Sequence, residues 1–140
     1  MKRKLEFSYA DRQYKLSFRD FNVMLIIGDS SVGKSLLCSD LKRVKNFDDN
    51  YSDVRVFNVF DDDYLQLLSS EDTYDKYSMF VIDNADILVT PEVSEIIKKH
   101  YKHSWILIGR EIPSCVLSAT CICKLEYKDG VFSNNFSWLK

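Results

Sequence analysis

Short apolar runs alternate with polar stretches along the chain. Five runs predict strands, at residues 21–27, 54–60, 78–83, 105–109 and 121–127. Apolar, β-branched runs of this length are typical of parallel strands buried on both faces. Leucines at helical spacing after the first run, and the helix start Thr90-Pro91-Glu92 after the third, predict intervening helices. This order predicts the α/β class: a three-layer α/β/α sandwich with a mainly parallel five-stranded sheet.

Two further segment pairs predict β-hairpins. Residues 5–9 and 14–18 alternate apolar and polar side chains around a polar turn. At the other end, the turn Lys128-Asp129-Gly130 joins the last core strand to residues 131–133. We expect both hairpins to be additions to the core sheet. With 140 residues, no repeat and no linker, the chain is expected to form one domain over 1–140.

The charge and the apolar runs of the chain limit the kinds of partner that are expected. The net charge is −2, so no overall attraction to nucleic acid is expected. Basic residues concentrate in 2–19, and nine carboxylates fall within 46–75. Each group is either a solvated face or a patch that contacts nucleic acid or an acidic partner. No apolar run approaches the roughly 20 residues of a membrane span, so no membrane association is expected.

The cysteine pattern indicates reduced thiols. Cys38, Cys115, Cys121 and Cys123 lack the paired C-x₂-C spacing of a zinc site. We expect them to be small buried hydrophobic residues. Reduced thiols predict a cytoplasmic protein.

The most informative segment joins the first strand to the first helix. Residues 28–35 read GDSSVGKS and fit the phosphate-binding pattern G-x-x-x-x-G-K-[ST]. In such a loop Lys34 would reach the β- and γ-phosphates and Ser35 would supply an oxygen to Mg²⁺. The alternative is a chance Gly-Lys-Ser turn. The predicted nucleotide-binding residues are Gly28, Asp29, Ser30, Ser31, Val32, Gly33, Lys34, Ser35 and Leu36.

A second element is expected beside this loop. Phe80-Val81-Ile82-Asp83 is an apolar strand that ends in a carboxylate, as in the Walker B pattern. Parallel strands end at one edge of a sheet, so Asp83 would lie near the loop and help to hold Mg²⁺. The predicted metal ligands are Ser35 and Asp83.

Together these residues make the chain resemble a P-loop NTPase core of the ASCE division, which includes AAA+ and STAND-type ATPases. The resemblance covers about residues 21–127, without a lid domain. It implies ATP and Mg²⁺ as ligands. It also implies that the fourth strand lies between the first and the third, with Arg110 at its end as a sensor of the γ-phosphate. The alternative for Arg110 is a salt bridge to Glu111 or Asp86.

One position departs from this family. The glutamate that commonly follows the Walker B aspartate is replaced by Asn84, which cannot accept a proton from water at neutral pH. Asp86 or Glu111 could take that role. The predicted catalytic residues are Lys34, Asp83, Asn84 and Arg110.

Three functions follow as hypotheses. The first is an ATP-binding protein that acts as a slow Mg²⁺-dependent ATPase or as a nucleotide-dependent switch. The second is a non-catalytic interaction module with an inherited loop. The third is a small-molecule or nucleotide kinase, although no arginine-rich lid is present. Adenine is favoured because no Asn-Lys-x-Asp signature occurs. A protein partner or a second copy could supply an arginine, whereas nothing specific supports a nucleic-acid partner.

Overall fold

The computed structural model describes residues 4–18, 22–28, 33–111 and 120–135. Within these ranges the chain forms eight strands, five α-helices and one 3₁₀-helix. In chain order they are β1 (Lys4–Tyr9), β2 (Arg12–Ser17), β3 (Val23–Ile27), α1 (Lys34–Phe47), the 3₁₀-helix (Asp49–Tyr51), β4 (Val54–Phe57), α2 (Tyr64–Leu68), α3 (Glu71–Lys76), β5 (Met79–Ile82), α4 (Ala85–Leu88), α5 (Pro91–Lys99), β6 (Ser104–Ile108), β7 (Thr120–Lys128) and β8 (Val131–Asn135).

All eight strands belong to one mixed sheet in the order β1-β2-β8-β7-β3-β6-β5-β4. Pairing is parallel from β7 through β3, β6 and β5 to β4. Strands β1 and β2 pair antiparallel, as do β7 and β8. The two hairpins are joined because β2 pairs in parallel with β8.

The predicted three-layer α/β/α sandwich with a mainly parallel five-stranded sheet is wrong. The sheet is mixed, has eight strands and curls into a half-barrel, and its helices are short, from 4 to 14 residues. The two hairpins are integral parts of this sheet rather than additions to it. The cause is the pairing of 13–15 with 131–133, more than a hundred residues apart in sequence. Neither alternation nor turn residues carry information about such a contact.

Helix α1 lies within the curl of the sheet. It contacts both edge strands, β1 and β4, which a flat sheet of this width would hold far apart. Its buried side chains Leu37, Cys38 and Leu41 share one core with Met24 and Ile26 of β3. Burial of each leucine contributes about 1.5–3 kcal/mol, so this face fixes the helix on the sheet.

The opposite face of the same strands has its own core. Val23 and Leu25 of β3 point there, as expected for alternate residues of a strand. They pack in one cluster with Leu68 of α2 and with Val93 and Ile97 of α5. The central strands are therefore buried on both faces, which explains their continuous apolar runs.

A buried polar cluster fixes α1 to the first hairpin. We name Arg12, Tyr14 and Asp40 the Asp40 cluster. Arg12 donates from Nε and Nη2 to the Asp40 carboxylate at 2.7 and 2.9 Å, and the Tyr14 hydroxyl donates to it at 2.5 Å. Burial would raise the pKa of Asp40, but hydrogen bonds from Arg12 and Tyr14 outweigh it and hold that pKa below its ordinary value. The cluster fixes the middle of α1 against β2.

Several local predictions are confirmed. Thr90 caps α5, with the Val93 N–H donating to its hydroxyl at 3.3 Å, and Pro91 is the first helical residue. Three of the cysteines are buried thiols: Cys38, Cys121 and Cys123. Cys115 lies outside the described residues.

Candidate functional site

The predicted phosphate loop lies between the end of β3 and the start of α1. Gly28 follows β3 with φ 141°, and Gly33 precedes α1 with φ 84°, a left-handed conformation that favours glycine. A Cβ on Gly33 would lie 2.8 Å from Cε1 of Phe132, so space also requires glycine there. The predicted binding residues Asp29, Ser30, Ser31 and Val32 lie outside the described residues.

The three predicted binding residues in the first turn of α1 differ in exposure and in their contacts. Lys34 is only 4% exposed, and its Nζ donates a hydrogen bond to the carbonyl of Gly28. Ser35 is exposed, and Leu36 packs against the core beneath the helix. The ammonium group of Lys34 is thus directed back towards the start of the loop.

A pocket of about 430 Å³ opens beside this turn. We name it the Asp83 pocket. Three elements line it: α1, the turn after β4, and the residues that follow β5. Its lining residues are Ser35, Cys38, Ser39, Lys42, Asn58, Val59, Phe60, Asp83 and Asn84. The two predicted metal ligands, Ser35 and Asp83, therefore lie in one pocket.

The charge of the Asp83 carboxylate is only partly compensated. It accepts a hydrogen bond from the Asn84 N–H at 2.8 Å, and the Cys38 thiol lies within hydrogen-bonding reach of it. Among the described residues no ion pair within 4 Å involves it. Burial raises the pKa of Asp83, and the Asn84 N–H and the charges of Lys42 and Lys34 offset only part of this rise. A half-buried carboxylate with unsatisfied acceptor capacity is suited to hold a cation.

Asn84 occupies a constrained position at the pocket. Its backbone is left-handed, with φ 55° and ψ 42°, a conformation that asparagine tolerates better than most residues. It precedes α4, and its carbonyl accepts from the N–H groups of Ile87 and Leu88. Asn84 thus directs the chain away from the sheet immediately after Asp83.

Arg110 is not among the residues that line the Asp83 pocket. It follows β6, which pairs with both β3 and β5, so the strand order at this point is the expected one. Its side chain is exposed and does not line the Asp83 pocket. Within the described part of the chain, no ion pair joins it to Glu111 or Asp86.

Six pocket residues were missed by sequence reasoning: Cys38, Ser39, Lys42, Asn58, Val59 and Phe60. For the three on α1 a sequence signal exists, because positions 35, 38, 39 and 42 fall on one helical face. For the three at 58–60 the sequence carries no such signal, since their positions depend on a turn. The Asn58 N–H donates to Asp61 at 2.8 Å, and the Asn58 side chain accepts from the Phe60 N–H at 2.9 Å.

The donor set fits Mg²⁺. This ion prefers oxygen ligands and is commonly held by one or two protein side chains together with phosphates and water. Ser35 and Asp83 offer one hydroxyl and one carboxylate at the same pocket. The described residues include no group of three or more His, Cys, Asp or Glu side chains that could hold a metal without a ligand's help. A Mg²⁺ ion bound by Ser35 and Asp83 would complete its coordination with phosphate oxygens and water.

Comparison with known proteins adds no relative. No protein-family model matches the chain, and a search of curated proteins finds no match either. Within the described residues, no helix has the length and apolar character needed to cross a bilayer. Function must therefore be inferred from the residues and their geometry.

Proposed function

We propose that this protein binds Mg–ATP where β3 meets α1 and acts as a slow ATPase or a nucleotide-dependent switch. One observation carries the proposal: Ser35 and Asp83 line one pocket beside the buried ammonium group of Lys34. Residues 28–35 also fit the phosphate-binding pattern, and their two glycines have the positive φ angles that a tight loop needs.

Each residue then has a defined role. Lys34 would exchange the Gly28 carbonyl for β- and γ-phosphate oxygens, and the N-terminus of the 14-residue α1 would favour the same negative charge. Ser35 and Asp83 would hold Mg²⁺, which neutralises charge on the phosphates when bound. Arg110 could act as the sensor only by turning towards the pocket, since its side chain does not line it.

Slow turnover follows from Asn84. Its amide can position a water molecule but cannot take the proton. We therefore expect a rate far below the roughly 10 s⁻¹ that is the median for enzymes. Asn84→Asp tests this better than Asn84→Glu, because aspartate tolerates the left-handed backbone at φ 55°. A gain in phosphate release in Asn84→Asp supports the missing base; an unchanged rate argues against it.

A binding experiment tests the proposal as a whole. Thermal unfolding is measured with Mg–ATP, Mg–ADP and Mg–GTP for the wild type, Lys34→Met and Lys98→Ala. Methionine keeps the buried aliphatic volume of Lys34, and Lys98 is an exposed control on α5. A ligand at a hundred times its Kd stabilises by about 2.7 kcal/mol, which is several degrees for a domain of this size.

We expect Mg–ATP to raise the unfolding temperature of the wild type and of Lys98→Ala, but not that of Lys34→Met. If no nucleotide shifts the wild type, the loop is vestigial and the interaction-module alternative holds. If Lys34→Met responds as the wild type does, the nucleotide binds elsewhere.

A further inference from the structure

A second pocket, of about 350 Å³, is formed by Arg55 of β4, by α2 and α3, and by Tyr77 before β5. We name it the Arg55 pocket. Leu67 and Tyr77 of its lining pack against the core on the face of the sheet opposite α1. None of its described lining residues also lines the Asp83 pocket. We propose that the Arg55 pocket binds a small apolar carboxylate, a molecule with one anionic group on an aromatic or aliphatic body. This site is independent of the proposed nucleotide site.

Arg55 is the group that would bind the carboxylate. Its side chain is half-buried, and its guanidinium carbon lies 4.8 Å from the centroid of the Phe57 ring, a contact that helps to fix the guanidinium. Among the described residues, no ion pair within 4 Å involves it. A guanidinium carries five N–H donors, and its fork can donate two parallel hydrogen bonds to a carboxylate. Because the described fold supplies no acid to Arg55, these donors remain for an anionic ligand.

The charges around the pocket favour a single negative charge on the ligand. Lys76 also lines the pocket, and its Nζ lies 5.6 Å from the centroid of the Tyr77 ring. The acid in the described lining is Asp72, which makes no ion pair within 4 Å with either cation. With two cations and one acid, the described lining has one positive charge in excess. A monoanion neutralises this charge, whereas a dianion such as a phosphate monoester would exceed it.

The positive charge of Arg55 also acts outside the pocket. Burial lowers the pKa of Lys45 on α1 to about 8, and repulsion from Arg55 and Lys42 adds to this effect, whereas the charge of Asp53 opposes it. A negative charge bound at Arg55 would relieve part of that repulsion. The free protein therefore carries positive charge at β4 that a bound carboxylate would compensate.

The apolar wall of the pocket is held in place by hydrogen bonds. Leu67 and Tyr77 are half-buried and offer apolar surface to a ligand. The Thr73 hydroxyl donates to the Leu67 carbonyl at 2.6 Å, and the Tyr77 N–H donates to the Thr73 carbonyl at 3.0 Å. A wall fixed in this way loses little conformational freedom when a ligand enters. The volume of about 350 Å³ is within the range of small-molecule sites.

The surroundings of the pocket favour a small molecule over an acidic peptide. Glu71, Asp72 and Asp75 are all exposed on α3. A peptide segment with several carboxylates would be repelled by these side chains. A single carboxylate on an apolar body meets less repulsion and gains from the apolar wall.

The test uses titration calorimetry on the full chain. The probes are phenylpropionate, indole-3-acetate and octanoate, each compared with its uncharged amide, and acetate serves as the probe for the anion alone. We expect at least one of these apolar carboxylates to bind with a Kd of about 1 mM or lower. Its amide should bind about tenfold more weakly, because charged hydrogen bonds to Arg55 are lost. Acetate should also bind more weakly, because it lacks the apolar body.

Variants that remove charge identify the residues. Arg55→Gln should weaken binding of the carboxylate by about tenfold or more, and Lys76→Gln, at an exposed residue, by about threefold. Arg55→Lys keeps the charge but loses the fork, so its affinity should lie between those of the wild type and Arg55→Gln. The matched controls Arg43→Gln and Lys98→Gln change exposed cations that do not line the Arg55 pocket, and both should bind as the wild type does.

Several results would overturn this inference. It is refuted if none of the apolar carboxylates binds, if an amide binds as tightly as its carboxylate, or if Arg55→Gln binds as the wild type does. Displacement of the carboxylate by Mg²⁺ and the ATP analogue AMP-PNP would mean that it binds in the Asp83 pocket, which also refutes it. A glutamate-rich peptide that binds through Arg55 more tightly than every carboxylate would identify a peptide surface instead. If Arg55→Gln does not fold, amide chemical shifts of the wild type decide: changes at 55 and 67–77 support the site, and changes elsewhere remove it.

Discussion

Asp40, on α1, and Asp83, which follows β5 and lines a pocket beside the same helix, differ in how their charge is compensated. Asp40 receives two hydrogen bonds from Arg12 and one from Tyr14. Asp83 receives one from a backbone N–H, and the Cys38 thiol and two lysines lie near it. The pKa of Asp40 is accordingly lowered and that of Asp83 is raised. The first carboxylate has its partners in the fold, whereas the second has acceptor capacity left for a ligand.

Under the proposed function, this difference separates a structural role for Asp40 from a binding role for Asp83. The Asp40 cluster joins α1 to β2, and the lowered pKa of Asp40 means that its charged form stabilises the fold. The charge on Asp83 is a cost to the free protein that a bound cation would remove. Removing each carboxylate in turn should therefore have opposite consequences for stability and for binding.

The largest expected effect on stability is that of Asp40→Asn. Loss of the hydrogen bonds between charged groups should lower the free energy of unfolding by about 2–3 kcal/mol, measured by urea titration at pH 7. The stabilisation is present above the ordinary aspartate pKa of about 3.9 and is lost as pH falls through the lowered folded-state pKa. Asp40→Asn should thus also flatten the acid limb of the stability profile. If Asp40→Asn is as stable as the wild type at pH 7 and also on the acid limb, the cluster is dispensable for stability.

A smaller effect is expected from Tyr14→Phe. The ring stays stacked on Phe7 and Phe132, with centroids 4.5 and 5.0 Å away, so only the hydroxyl is removed. Asp40 keeps both hydrogen bonds from Arg12, and the free energy of unfolding should fall by about 1 kcal/mol. Urea titration of Tyr14→Phe beside Asp40→Asn ranks the two. A loss as large as that in Asp40→Asn would mean that the hydroxyl, rather than the ion pair, dominates the cluster.

Asp83→Asn should leave the free protein almost unchanged. It removes a charge that burial disfavours, so the free energy of unfolding should stay within about 0.5 kcal/mol of wild type or rise. The same urea titration used for Asp40→Asn measures it. A loss of more than about 1 kcal/mol would show that Asp83, like Asp40, is held by the fold for its stability.

The smallest expected effect is a pH dependence of opposite sign to that of Asp40. Because the pKa of Asp83 is raised in the folded state, the native protein binds its proton first as pH falls. The contribution of Asp83 to stability should therefore rise as pH falls from neutral towards the ordinary value of about 3.9. The stability of wild type minus that of Asp83→Asn, followed over this range, isolates the change. If the stability of wild type minus that of Asp83→Asn decreases as pH falls, the pKa of Asp83 is not raised in the folded protein.

Local sequence patterns predicted the elements well. The described strands β4, β5 and β6 fall at the predicted runs, and Thr90 caps α5 as its sequence indicates. The presence of Ser35 and Asp83 in one pocket was also predictable, because parallel strands end at one edge of a sheet. Each of these inferences needs only nearest neighbours in sequence or a general rule of sheet geometry.

Long-range and turn-dependent features were not predictable. The pairing of β2 with β8 changes the architecture, yet no residue of either strand specifies its partner. The role of Asp61 likewise depends on a turn, because its carboxylate accepts from the Asn58 N–H and closes the turn that exposes Phe60. Arg110 ends the expected strand, but its side chain lies outside the pocket because strand order does not fix a side-chain direction.

The proposal that Asp83 binds the Mg²⁺ of a Mg–ATP complex has one direct test. ATP is titrated into wild type and Asp83→Asn by calorimetry, once with Mg²⁺ and once with EDTA. We predict that Mg²⁺ increases the affinity of wild type about tenfold or more and that Asp83→Asn loses this increase. An undiminished increase in Asp83→Asn, or no binding of ATP to the wild type under either condition, would contradict the account.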